Sequence, residues 1–234
     1  MRVWLADRPG ALGTLTTSLG ELGADVMGIN ILERDGGRVV DELTMSVPDE
    51  MTPEALARAM TLLEGVQVED VRSVVDRLPY PGSDPLDVAV ELGHQRSPDA
   101  LMKTLAHGVA AVFAGDWAAV LRAGDGGHSV VTAGSAPASG WLSAFVSGAS
   151  SQQATRSGEL RGPSDIAWAV LEHSEASVVV GRGGPPFRSR ERHQLVQLSR
   201  IADGRWRELT IRAGMIAHPS AGPSERPRQV AAAW

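Results

Sequence analysis

A chain of 234 residues with a net charge of −6 and no cysteine is long enough to bury one large core or two small ones. The absence of thiols excludes disulfides, thiolate metal sites, thiol catalysis and thioether-linked chromophores. No apolar run approaches the roughly 20 residues that span a bilayer. The first residues also lack a charged segment followed by an apolar one, so the expected location is the cytoplasm, with no membrane contact.

Charge is unevenly spread. Residues 1–76 carry 6 basic and 14 acidic side chains and the remainder carries 16 and 14, which argues for two modules. An acidic first module is a poor partner for nucleic acid, whose phosphates require clustered Lys and Arg. Of the 22 Lys and Arg residues only Lys103 is a lysine, the codon bias expected of a GC-rich bacterial genome.

Arg2 to Ala6 reads as a strand. Asp7-Arg8-Pro9-Gly10 then turns straight into a helix, and such a start leaves backbone N–H groups unpaired and grouped, ready for an anion. Asp7 stands at the rim of that cradle. A carboxylate beside free donors suits a zwitterion, the donors taking its carboxylate and the acid its ammonium. In the plainer alternative Asp7 only caps the helix and Pro9-Gly10 only turns the chain. Leu12, Leu15, Leu19 and Leu22 place one stripe on the helix face, and Gly23 suits the left-handed position that ends it.

Asp25 to Leu32 is the second strand, with Met27, Ile29 and Ile31 on one face. Gly28 inside it marks a bulge or a close backbone approach. Asp35-Gly36-Gly37 is a hairpin turn, and Val39 to Val47 returns with Leu43, Met45 and Val47 inward. Asp41 interrupts that alternation with no reason visible in the sequence. Thr52 caps a helix with Pro53 in its first turn and Leu56, Met60 and Leu63 as its buried stripe. Gly65 stops it. Val66 to Val75 is the last strand, and its change of phase between Val68 and Val71 predicts a bulge.

The run Asp7-Arg8-Pro9-Gly10-Ala11-Leu12, the helix behind it, Gly23-Ala24-Asp25-Val26 opening the next strand, and the order strand, helix, two strands, helix, strand resemble an ACT domain. Members of that family sense amino acids beside many metabolic enzymes. The resemblance covers about residues 1–76 and implies a ferredoxin-like βαββαβ sandwich that dimerises side by side, with the ligand at the seam. On that resemblance the polar position of the first loop falls on Asp7, and that of the second strand, supplied by the neighbouring protomer, on Asp25. Backbone N–H groups around Gly10, Ala11 and Leu12 would hold the ligand carboxylate, within a loop completed by Arg8 and Pro9. Met27, with Leu5, Leu12 and Ile29, would lie near the ligand side chain. The chain departs from the serine-sensing relatives in having Leu5 for their histidine, and aspartate for asparagine at positions 7 and 25.

Residues 77–85 hold three prolines and a glycine and read as a stiff linker. Beyond it Ser97 and Pro98 open a helix to Phe113 with the stripe Leu101, Leu105, Val109 and Val112. Trp117 to Leu121 and Ser129 to Ala133 read as strands joined through Gly124-Asp125-Gly126-Gly127. A helix around Ser139 to Ser147 carries Trp141 and Phe145. Leu160 falls in a further strand, Ile166 to Leu171 is ambiguous, Ser177 to Gly181 is a buried strand, and a long helix runs from about Phe187 to Leu209. The segment from Val178 to Leu209, a buried strand turning through Pro185-Pro186 into a terminal helix, resembles the end of a GAF domain, and the resemblance spans about 86–210. The cyclic-nucleotide pattern of that family is missing. Residues 211–234 read as a disordered tail.

Catalytic signatures are absent. The six histidines form no pair at ligand spacing on one helix, and neither a Gly-x-Ser-x-Gly elbow nor a Gly-Lys-Ser/Thr phosphate loop occurs. Gly181-Arg182-Gly183-Gly184 reads as a turn. The expectation is therefore an α+β chain in which an ACT-like sandwich joins a GAF-like antiparallel sheet flanked by helices. It would act as a non-enzymatic homodimeric sensor of an amino acid or similar small molecule, using no metal or cofactor and reporting to a protein partner. The alternative is a constitutive dimeric scaffold with no small ligand.

Overall fold

The computed structural model describes residues 1–73, 84–124, 127–153 and 165–217. The chain is α+β, with two four-stranded antiparallel sheets. The first is built by β1 (Arg2–Ala6), α1 (Ala11–Glu21), β2 (Asp25–Asp35), β3 (Arg38–Ser46), α2 (Pro53–Thr61) and β4 (Gln67–Asp70), in the strand order β2-β3-β1-β4. Gly36 and Gly37, at φ 55° and 75°, close the β2–β3 hairpin in a conformation that L side chains avoid. Thr52 Oγ1 accepts from the Ala55 N–H at 3.2 Å, so α2 starts where its cap residue stands. Val3, Leu5, Val39 and Leu43 meet Leu15, Leu19, Leu56 and Met60 in the core between sheet and helices.

The second module comprises α3 (Pro85–His94), α4 (Pro98–Val112), β5 (Trp117–Gly124), β6 (Gly127–Gly134), α5 (Ser139–Gln153), β7 (Ile166–Leu171), β8 (Ala176–Gly181) and α6 (Ser189–Ala217). Its sheet runs β6-β5-β8-β7. The helices α3, α4 and α6 cover one face around Leu92, Leu105, Val178 and Leu198. On the other face α5 packs Leu142 against Ala119, Leu121 and Val179. No helix among the described residues is long and apolar enough to cross a membrane.

Several boundaries differ from expectation. Helix α3 is additional: Asp84 Oδ1 caps it by accepting from the Leu86 N–H at 2.8 Å, with Pro85 as its first residue. The segment 84–85 therefore belongs to the second module, while 77–83 of the expected linker lie outside the described residues. The ambiguous stretch 166–171 is a strand, because its alternate residues face two different cores. Helix α6 continues past Leu209 to Ala217, so 211–217 is helical rather than tail; no proline interrupts it before Pro219. The rest of the expected tail, the apex residues Asp125 and Gly126, and the strand expected at Leu160 lie outside the described residues. β4 is shorter than 66–75 but carries the anticipated bulge, since Arg2 pairs with Asp70 and Val3 with Val68, leaving Glu69 as the extra residue.

The outer face of the first sheet meets the chain between β8 and α6. Arg2 of β1 donates to Glu191 of α6 at 2.8 and 3.3 Å and to Glu42 of β3 at 2.7 Å. Arg182 grips the same Glu191 through two bonds of 2.8 and 3.0 Å and also donates to the carbonyls of Phe113, Pro185 and Pro186. Glu191 also accepts from the Arg188 N–H at 2.8 Å, the helix-side half of a capping box. Arg188 pairs with Glu33 and Glu69 and lies over the Trp4 ring at 4.8 Å. The Gly181–Gly184 segment is a turn, bent around Arg182, with the Gly183 N–H given to Asp116 at 2.6 Å.

Burial alone would push the Glu191 carboxyl up, but Arg182 and then Arg2 outweigh it and hold the group below the usual glutamate range. Its contribution to stability is thus complete above that range and is lost as pH falls through it toward the lowered folded value. Glu191→Ala, which strands two buried guanidiniums, should cost about 3–5 kcal/mol in urea unfolding and flatten the acid limb of the stability profile. An unfolding midpoint equal to wild type would show that the cluster holds nothing together.

Candidate functional site

The loop between β1 and α1 is held by backbone bonds from Asp7 N–H to Gly37 O (2.8 Å), Arg8 N–H to Ala6 O (2.9 Å) and Ala11 N–H to Arg8 O (3.3 Å). Gly10 stands at the helix start with φ 88°, and no side chain caps α1. Among the described residues the N–H groups of Gly10, Leu12 and Gly13 have no acceptor, whereas that of Ala11 is occupied. Of the three N–H groups singled out in the sequence, that of Ala11 is thus spent within the turn, while those of Gly10 and Leu12 are not.

Asp7 does not cap the helix. Its two oxygens accept from Arg34 Nη1 at 3.0 and 3.2 Å, in a pair whose side chains are 36% and 58% exposed. An exposed pair of this kind contributes about 0–1 kcal/mol, so it opens at little cost. Opened, it presents an anion and a cation side by side: Asp7 for an ammonium, Arg34 and the helix N–H groups for a carboxylate.

Asp41 has the same surroundings. It faces the helix side of β3 between Val3 of β1 and Ile31 of β2. It is 3% exposed, and its Oδ1 finds no hydrogen-bond partner. Burial pushes this carboxyl above its ordinary range, Arg34 acts against that rise, and Asp7 adds to it. The break in alternation therefore belongs to a buried acid in phase with Val39 and Leu43.

Asp25 and Met27 lie elsewhere. Asp25 opens β2 opposite Ser46, and Arg34 stands near the other end of the same strand opposite Val39. Nine steps at about 3.3 Å put Asp25 roughly 30 Å from the Asp7–Arg34 pair within one chain. β2 is an edge strand, and Met27, Ile29 and Ile31 along it are 39–49% exposed. Met27 is the extra residue of a bulge before Gly28, and a second register shift lies between Ile31 and Glu33. Leu5, in contrast, is buried in the core with Leu15 and Leu43 and faces no open surface.

Arg34 and Asp41 escaped sequence reasoning. The hairpin register counted back from Gly36-Gly37 places Arg34 beside Val39 on the helix face, and that count was the available signal. Among the described residues no group of three or more His, Asp or Glu side chains stands at metal-binding range.

No family model matches this chain, and no curated protein matches it in sequence. Two solved structures are similar in part. One is the GAF domain of an Acinetobacter phosphoenolpyruvate-protein phosphotransferase, at 12% identity and a TM-score of 0.39, covering 58% of this chain and 95% of the other. The second is a GAF domain assigned to a sensor histidine kinase of Pseudomonas syringae pv. tomato, at 13% identity and a TM-score of 0.36, covering 57% and 92%.

A raised folded pKa makes Asp41 costly once ionised, so its penalty is absent below the ordinary carboxylate range and grows as pH rises through it. Asp41→Asn should therefore raise the melting temperature by a few degrees, about 1–2 kcal/mol, near pH 7.5. Near pH 4 the two proteins should converge. Melting curves offset equally at both values would remove the charge from the explanation.

Proposed function

We propose that this chain is a non-enzymatic regulatory protein that binds an amino acid or a similar zwitterion between two copies of its first module, in the manner of an ACT domain. The observation that carries this reading is the exposed Asp7–Arg34 ion pair beside uncapped helix N–H groups, at one end of an edge strand. The strand order β2-β3-β1-β4 with two helices on one face accords with a ferredoxin-like sandwich. Antiparallel pairing of two β2 edges about a two-fold axis near Ile29 sets Asp25 of the partner subunit opposite Arg34, which unites residues that lie roughly 30 Å apart in one chain.

Occupancy has a short route to the second module, which we read from its sequence as GAF-like. Glu33 of β2 pairs with Arg188 and accepts from Ser189, and Arg190 donates to the Ile31 carbonyl at 3.4 Å. A ligand that reorders this edge acts on the N-terminus of α6 directly. Because such a ligand bridges two protomers, it favours the dimer by mass action.

The apolar ridge Met27, Ile29 and Ile31 supports a second reading, a constitutive dimer that needs no ligand. The two are separable. A thermal-shift panel of the common amino acids should find one or two that stabilise wild type by about 2.7 kcal/mol at about a hundred times the dissociation constant, and should find no response in Arg34→Ala or Asp7→Ala. Sedimentation should show the same ligands driving dimer formation. A dimer that is equally tight with and without every amino acid, and no thermal shift at millimolar concentration, would leave the scaffold.

A further inference from the structure

Asp41 is an acid that the fold does not use. It is 3% exposed, its Oδ1 has no hydrogen-bond partner, and Arg34, the cation that acts on it, gives its hydrogen bonds to Asp7. A buried carboxylate left in this state lowers stability. Residues held against stability are characteristic of sites that need them for function.

The edge strand shows what stands beside this acid. Residues directly opposite in an antiparallel ladder share a face, so Ile29 opposite Leu43, Ile31 opposite Asp41 and Arg34 opposite Val39 all lie on the helix face of the first sheet. On β3 those positions are buried, whereas Ile29, Ile31 and Arg34 on β2 are exposed. The helices therefore cover β3 and stop short of β2, which leaves a shelf along the edge strand. Asp41 stands on its inner side, next to Ile31.

The distances along this shelf select the length of a ligand. Asp41 lies two residues along β3 from Val39, the partner of Arg34, which is roughly 7 Å at the rise of a strand. The four-carbon stem of a lysine, or the longer arm of an arginine, covers that span and ends in a cation. We propose, resting on the ligand site at Asp7 and Arg34 described above, that its ligand is an amino acid with a cationic side chain. The head group lies between Asp7, Arg34 and the start of α1, the methylenes lie on Ile31, and the terminal cation pairs with Asp41 through a charge-assisted hydrogen bond. Asp41 is then the specificity residue. An uncharged side chain of equal length leaves the buried carboxylate unpaired, a penalty that discriminates more strongly than a missing methylene does.

The test is isothermal titration of the full-length protein near pH 7.5 with L-arginine and L-lysine, each against its uncharged counterpart, L-citrulline and L-norleucine. At least one of the cationic amino acids should bind about tenfold or more tighter than its counterpart. Asp41→Asn, which is expected to melt higher than wild type and so keeps its fold, should erase that preference. Asp7→Ala should weaken every one of the titrations, because it removes the contact to the shared head group. Equal affinity within each pair, or a preference that survives in Asp41→Asn, would overturn the assignment of Asp41 and leave the amino-acid site standing. So would a thermal-shift response confined to neutral amino acids. No response to any amino acid in either experiment would overturn both.

Discussion

Glu191 stands between two guanidiniums that come from different sheets, Arg2 from the first strand of the chain and Arg182 from the end of β8. All three side chains are nearly inaccessible to water. Desolvating them is expensive, and the geometry offsets it: each carboxylate oxygen receives hydrogen bonds from both arginines or from the helix start, and Arg182 spends its remaining donors on three carbonyls. One residue thus caps α6, closes the turn before it and fixes the outer face of the first sheet against it. The charge imbalance between the modules has its physical use here. Glu33 and Glu69 project from the acidic sheet onto Arg188, while Arg2 of that sheet reaches Glu191, so the first sheet and the arginine-rich approach to α6 form a single junction.

That junction decides what the edge strand can do. Its far half, from Asp25 to Asn30, stays open with its apolar residues exposed, while its near half reaches Arg188, Ser189 and Arg190. On the proposed reading, a molecule bound at the Asp7–Arg34 pair sits one residue along β2 from Glu33, which holds Arg188 and Ser189. That reading makes sensing and transmission neighbours along one strand.

Local signals in the sequence were strong wherever the chemistry was local. Thr52-Pro53 and Ser97-Pro98 mark helix starts because a hydroxyl reaches an N–H three residues on, and Asp35-Gly36-Gly37 marks a hairpin because two successive residues need positive φ. The bulge at Glu69 was legible from a slip in alternation. Asp84-Pro85 carried the same kind of signal for α3, obscured by the proline-rich stretch before it. The helix end at Leu209 was set too early because the buried stripe stops there, with Ile211 already exposed, while the helix itself continues.

The amino-acid sequence by itself determined the order and type of nearly every element, the turn at Pro9-Gly10 and the leucine stripe behind it, since each depends on neighbours within a few residues. Only the tertiary structure decided where the charges go. Asp7 meets Arg34 through a hairpin register, Arg2 meets Glu191 across 189 positions, and Asp41 is buried because an antiparallel ladder sets it between Val3 and Ile31. The physical reason is range: backbone propensity acts over a turn of helix or a pair of strands, whereas a carboxylate finds its partner in space after the chain has closed.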